Sequence, residues 1–439
     1  MPDRTLMRPK QLGLPALAQG LGVYVSVPFC RAKCSYCNFA SGVFGSERMA
    51  AYVAKLTAEI REAPKRVAAW GGQLPRRLDS LYFGGGTPSL LSASQLEAIL
   101  EALAKVFSFD AEAEITLECA PGQLKDELLQ AMPGLGFNRV SLGVQSFVDH
   151  EAAAVGRLHT RAIALKEIER LRRAGIDDIN VDLIAGLPHQ TRESWNVSLA
   201  EAIAAGVPHL SVYMLDVDED SRLGREMLAG GTRYGVGMVP NEQAIADMYS
   251  EACEQFAAAG VAQYEISNFA RLGHESRHNL KYWKRQPYLG FGLDAHSFLP
   301  RVDGEAIRVG TTDDLSAYLE HKVRGDERET ITQVSAAQAL EEAWFLGLRL
   351  TEGVSLAAIE REFGESAIQA FQPILKEAQQ QGLIEYDEHR VRLTPQGRLF
   401  ANDVFERFLG VVREEEVVAI AWGPSHAHVL YRGTTSVGP

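Results

Sequence analysis

The sequence predicts an α/β fold: an incomplete (β/α)6 barrel of the TIM type, followed by a smaller winged-helix-like α+β domain. Three observations carry this expectation. Six short β-rich runs recur, at 22–29, 80–84, 114–119, 139–145, 179–184 and 209–215. Amphipathic stretches of helical period separate them, and parallel strands need such crossover helices. After about residue 310 the pattern changes, from alternating strands and helices to three helices and a short hairpin.

The clearest crossover helix starts near Ser94, where Leu96, Ile99, Leu100, Leu103, Val106 and Phe107 follow helical spacing. Ser94 and Glu97 have the spacing of a capping box in front of it. Ile163, Ile168 and Leu171 mark another helix, which the pair Ala174-Gly175 stops. In the C-terminal part, 335–350 reads as a helix that turns Leu340, Ala343, Trp344 and Leu348 toward a core. Two more helices are expected at 354–363 and 367–381, then strands at 383–386 and 391–393, and a last helix from Thr394. The resulting division is an N-terminal extension 1–20, a barrel 21–310, a winged-helix-like domain 311–415 and a loose tail 416–439.

Composition narrows the function classes. The 439 residues suffice for one large domain and one small one. With 57 acidic against 44 basic residues the net charge is −13, which argues against non-specific nucleic-acid binding. No run of about 18 apolar residues is present, so no transmembrane helix is expected. Arg4, Arg8 and Lys10 are not followed by a long apolar core, so a secretory leader is not expected and the chain reads as cytoplasmic.

Chemistry concentrates in Cys30-Arg31-Ala32-Lys33-Cys34-Ser35-Tyr36-Cys37, directly after the first strand. Iron–sulfur cubes normally take four thiolates. Three cysteines leave one iron open to an exchangeable ligand, and an open metal position marks a site that binds or reacts. Structural zinc wants four ligands in paired spacings, and no second Cys/His pair follows. Cys119 and Cys253 are remote in sequence, and a disulfide framework belongs to small secreted chains. Further groups fall at C-terminal strand ends, where barrels of this type carry function. Gly84-Gly85-Gly86-Thr87-Pro88 ends the second strand and lets backbone amides approach a ligand. No Gly-Lys-Ser/Thr follows, which rules out a phosphate loop. Glu118, Gln145 and Asp182 end later strands, and Arg157 comes shortly after the fourth. Buried charges need partners, so polar groups gathered at one barrel end point to a shared polar ligand.

With the three-cysteine loop and the glycine turn in place, the chain resembles radical S-adenosylmethionine (SAM) proteins. Within them it is similar to the oxygen-independent coproporphyrinogen III oxidase superfamily, over most of residues 20–300. This resemblance implies a [4Fe–4S] cluster on Cys30, Cys34 and Cys37, with SAM chelating the fourth iron. It places Tyr24, Gly85, Gly86, Thr87, Glu118, Gln145, Arg157 and Asp182 around SAM. Glu118 would bind the SAM ammonium, Arg157 its carboxylate, and Gln145 and Asp182 ribose hydroxyls or a second ligand.

Two features separate the branches of that superfamily. The coproporphyrinogen enzymes have a further cysteine two residues past the third, where this chain has Phe39. His278-Asn279-Leu280-Lys281-Tyr282-Trp283 resembles the HNxxYW element of the heme chaperones instead. The resemblance implies heme as a third cofactor, with His278 on its iron and Tyr282 and Trp283 against the porphyrin. His296, in a glycine-bearing segment, is a competing ligand. A heme acceptor protein, such as a membrane-associated heme enzyme, is the implied partner, and an oligomer is compatible. Asn38, Ala120 and Asp294 depart from the superfamily pattern. Two functions follow as expectations: a heme chaperone, or alternatively a radical SAM enzyme that decarboxylates coproporphyrinogen III.

Overall fold

The computed structural model describes residues 20–320, 329–364 and 366–411. The expected extension 1–20, save Gly20, and the expected tail 416–439 lie outside the described residues. Strands β1 (Leu21–Val27), β2 (Arg77–Gly85), β3 (Ser108–Cys119), β4 (Arg139–Gln145), β5 (Asp178–Ala185) and β6 (His209–Met214) pair in parallel in chain order. Helices α1 (Ser46–Ala69), α2 (Ala93–Ala104), α3 (Asp126–Ala131), α4 (Asp149–Ala154), α5 (Arg161–Arg173) and α6 (Arg192–Ala205) make the crossovers. The outward faces of the strands, with Val23, Leu81, Phe83, Leu117, Val140 and Val181, share one core with Leu56, Ile60, Leu96, Ile99 and Leu171.

Among the described residues, hydrogen bonding does not close the barrel. On one side β1 continues, again in parallel, to Tyr288–Phe291, and then to antiparallel strands His296–Pro300, Ala306–Gly310 and Thr330–Val334. On the other side β6 pairs with Asn268–Ala270, which runs antiparallel to it. The expected incomplete barrel is therefore observed, but its sheet takes in residues past 310. The α2 capping box also differs from expectation: Ser92 and Gln95 form it, not Ser94 and Glu97. A tight turn at Pro88–Leu90 ends at Leu91, which lets the helix begin earlier.

Inside the barrel the alternation delivers polar side chains. Tyr24, Tyr82 and Thr116 share one level of the register, with Gly22, Ser80 and Glu114 below them. Asn180, His209 and Ser211 are buried and mutually bonded: Asn180 Oδ1 lies 2.6 Å from His209 Nδ1 and accepts from Ser211 Oγ at 3.1 Å. TIM barrels normally fill this space with branched apolar residues. A polar interior requires partners for every group, or a ligand to supply them.

A short helix, Arg277–Trp283, plugs the end where the strands begin. The Glu114 carboxylate accepts from the amides of Arg277 at 2.9 Å and His278 at 3.0 Å, capping the first turn. Lys281 Nζ pairs with Asp79 at 2.7 Å and donates to the Gly20 carbonyl at 2.7 Å. From outside, the Arg349 guanidinium covers the Trp283 ring at 4.1 Å. Arg349 belongs to a C-terminal module with helices Ala336–Arg349, Leu356–Phe363 and Ser366–Gln380. Its three-stranded sheet orders Val354–Ser355, Arg390–Leu393 and Ile384–Tyr386, a winged-helix-like arrangement. Trp344, Phe371 and Phe408 stack at its centre. No described helix is long and apolar enough to cross a membrane.

Candidate cluster and SAM site

The cysteine loop leaves β1 at its C-terminal end and is pinned by backbone bonds. Cys30 N donates to Gly42 O at 2.8 Å, and Gly42 N to Pro28 O at 2.9 Å. From β2, Gly86 N donates to Val27 O at 2.9 Å and Thr87 N to Phe29 O at 2.7 Å. The amides of Gly86 and Thr87 therefore dock the cysteine loop and do not face a ligand. This corrects the expectation that the glycine turn presents amides: the strand end needs these two bonds to hold the loop.

All three loop cysteines are free thiols. Thr87 Oγ1 lies 4.0 Å from Cys30 Sγ, Ser41 Oγ lies 4.0 Å from Cys37 Sγ, and Arg157 Nη1 donates to Cys34 Sγ at 3.6 Å. Burial raises the pKa of Cys30 and of Cys37, so metal binding there must release protons. Among the described residues no three His, Cys, Asp or Glu side chains converge on a single-ion site.

Next to the loop, the inward residues at the strand ends form a pocket. Glu118 Oε1 is buried and has no hydrogen-bond partner among the described residues. Burial, with Asp182 nearby, pushes the pKa of this carboxyl up to about 8, against the opposing pull of the Tyr82 hydroxyl and the Gly85 amide. Gly84 makes this approach feasible. A Cβ there would sit 2.8 Å from Glu118 Oε1 and 3.0 Å from the Tyr24 hydroxyl. Gln145 ends β4 with φ 68°, and its Oε1 also lacks a partner among the described residues. Asp182 accepts from Ser141 Oγ at 3.0 Å and Asn180 Nδ2 at 2.6 Å, and burial raises its pKa. Arg157 donates its second nitrogen to the Gly143 carbonyl. Burial opposes its charge, but Tyr36, Cys34 and Asp182 outweigh that and hold it protonated.

The structure thus brings Tyr24, Gly85, Glu118, Gln145, Arg157 and Asp182 to one end of the barrel, beside Cys34. Two unpartnered acceptors and a half-buried cation are what a zwitterionic ligand with hydroxyls would satisfy. The residues fit SAM. Sequence reasoning missed Tyr82 and Gly84, although Ser80, Tyr82 and Gly84 alternate with Leu81 and Phe83 in a pattern that signals one polar inward face.

The heme residues named from the sequence lie elsewhere. The plug helix puts His278 at the opposite end of the barrel, 1% exposed. Its Nδ1 is 3.1 Å from Ser80 Oγ and its Nε2 is 2.8 Å from Tyr282 Oη. Burial lowers its pKa to about 3, so the ring is neutral and both nitrogens are engaged. Tyr282 and Trp283 are buried against Leu346 and Leu350. In this arrangement the hexad offers heme neither a free nitrogen nor an open aromatic face. His296 differs: its side chain is 50% exposed, at the cysteine end of the sheet. Its Nε2 is 3.8 Å from Asp294 Oδ1, too far for a hydrogen bond.

Comparison with known proteins decides the family. Residues 24–202 match the Radical SAM superfamily and residues 334–400 the HemN C-terminal domain. The heme chaperone HemW of Bacillus subtilis (strain 168) is 34% identical over 388 residues, covering 88% of this chain and 98% of that protein. The chain belongs to the HemW family of radical SAM proteins. HemW of Escherichia coli (strain K12) is 31% identical over 392 residues, 89% of this chain and 98% of that one. The mitochondrial radical S-adenosyl methionine domain-containing protein 1 of Bos taurus is 31% identical over 413 residues, 90% and 89%. Among solved structures, coproporphyrinogen III oxidase (HemN) from Escherichia coli superposes with a TM-score of 0.75 at 23% identity, covering 90% of this chain and 91% of that one. That likeness shows the shared fold. As a radical SAM protein of the HemW family, the chain uses a [4Fe–4S] cluster and SAM.

Proposed function

We propose that the chain is a cytoplasmic heme chaperone, which binds heme next to a cluster–SAM site and hands it to an acceptor protein. One observation carries the reading: similarity over 88–89% of this chain, at 31–34% identity, to proteins named heme chaperone HemW. Phe39 supports it against coproporphyrinogen decarboxylation, because the additional cysteine of those enzymes is absent.

Cys30, Cys34 and Cys37 hold the cluster, whose open iron supplies a binding and one-electron site for SAM. Glu118 accepts hydrogen bonds from the SAM amino group. Arg157 pairs with its carboxylate, and Gln145 and Asp182 take ribose hydroxyls. Asn38 Nδ2 donates to Asp218 Oδ2 at 2.9 Å, tying the cysteine loop to the segment after β6. Of the two histidines the sequence puts forward, His296 is the accessible one, and we assign heme-iron ligation to it. The acceptor is a heme enzyme of the membrane or its surroundings.

Titration of anaerobically reconstituted protein with heme tests this reading. One heme per chain is expected, with a changed heme spectrum in His296→Ala and no coproporphyrinogen turnover under reduction. Absence of stoichiometric heme binding, or robust turnover, would reverse the proposal.

A further inference from the structure

The plug helix is closed to solvent, yet it reaches the SAM pocket from beneath. The His278 ring stacks on Tyr82 at 5.3 Å and 27°, and Tyr82 stacks on Tyr24 at 6.1 Å and 19°. Tyr82 pairs in register with Thr116, so Glu118 is the next inward position on β3, and the Tyr82 hydroxyl eases the charge of that carboxyl. Below Tyr82, the adjacent inward positions of β1 and β2 are Gly22 and Ser80, too small to support its ring. The imidazole occupies that space, fixed by Ser80 on one nitrogen and Tyr282 on the other. Glu114, Asp79 and Arg349 anchor the helix that carries it.

We infer that His278 is a positioning residue: through Tyr82 it sets the Glu118 carboxyl, so the hexad is the floor of the SAM pocket and not the seat of heme. The inference deepens the proposed function and rests on its reading of Glu118 as the group facing the SAM amino end. It follows from the order of contacts. A hydroxyl steadies a neighbouring carboxyl only if its own ring is fixed, and His278 is the residue stacked on the underside of that ring. An exposed heme ligand would not be tied down at both nitrogens.

Three variants, Tyr82→Phe, His278→Ala and Glu118→Ala, are reconstituted anaerobically. SAM affinity is measured by equilibrium dialysis, the SAM-dependent change in the EPR signal of the reduced cluster is recorded, and each variant is titrated with heme. Tyr82→Phe keeps the ring and removes only the hydroxyl, so it reads positioning even if His278→Ala does not fold. Tyr82→Phe and His278→Ala are expected to weaken SAM binding about 10- to 100-fold, the range of one hydrogen bond to a charged group. Both should blunt the EPR response while one heme per chain is retained. If His278→Ala loses heme and binds SAM normally, the inference is overturned and the hexad is the heme site. If Glu118→Ala loses SAM but Tyr82→Phe does not, the inference alone fails. If Glu118→Ala binds SAM like the wild type, the pocket reading falls and takes the inference with it.

Discussion

Glu118→Ala lowers SAM affinity by roughly 10²–10³-fold, the scale of breaking a buried charged pair. Glu118 Oε1 is buried and unpartnered among the described residues, and Tyr82 and Gly85 act on the same carboxyl. Such a carboxyl is costly in the empty protein and gains most when a ligand donates to it. The pH dependence follows from the raised pKa. At neutral pH the carboxyl is protonated, because its pKa in the folded protein is about 8. Pairing with the SAM ammonium favours the carboxylate over the neutral acid, so SAM binding expels a proton. Affinity therefore rises with pH, by up to about tenfold per unit, and levels off above pH 8. Dialysis at several pH values should show this slope in the wild type and a flat profile in Glu118→Gln. A wild-type affinity independent of pH between 6 and 8 contradicts the assignment.

Gly86→Ala should empty the cluster site. A Cβ at this position would lie 2.7 Å from Phe29 O, 2.8 Å from Val27 O and 2.9 Å from Phe29 N. These are backbone atoms, which cannot rotate away as a side-chain tip can. The same strand end carries the bonds that hold the cysteine loop, so the β1 terminus must move outward and take Cys30 with it. Overpacking of this kind costs roughly 1–3 kcal/mol of stability. Iron and sulfide per chain, with the thermal midpoint, check the result. Loss of most of the cluster with a lowered midpoint is expected. Full iron content at wild-type stability would show that the turn is not the loop's anchor.

The sheet was legible because period-2 and period-3.6 patterns alternate six times, and β4 runs over the same residues that the pattern marked. The cysteine loop was legible from ligand arithmetic alone. Glu118, Gln145 and Asp182 could be read as polar breaks in apolar strands, because burial of charge needs a reason. Other features were not local. Tyr82 reads as one aromatic among apolar neighbours, and only the register with β1 and β3 shows that it stacks on Tyr24 and reaches Glu118. The hexad was read as facing heme from its resemblance to the HNxxYW element of heme chaperones. Nothing in the sequence says that Glu114, 164 positions away, caps that helix and turns it inward. His278 and Tyr282 do share a face, as their spacing implies, but they use it to bond each other.

The account stands on three thiolates that leave an iron free for SAM. Its most direct test is EPR of the anaerobically reconstituted, reduced protein, recorded with and without SAM, for the wild type and Cys34→Ser. A [4Fe–4S] signal that shifts on adding SAM in the wild type, and is lost in Cys34→Ser, is the predicted result. A wild-type signal unmoved by SAM, or an intact cluster in Cys34→Ser, would contradict it.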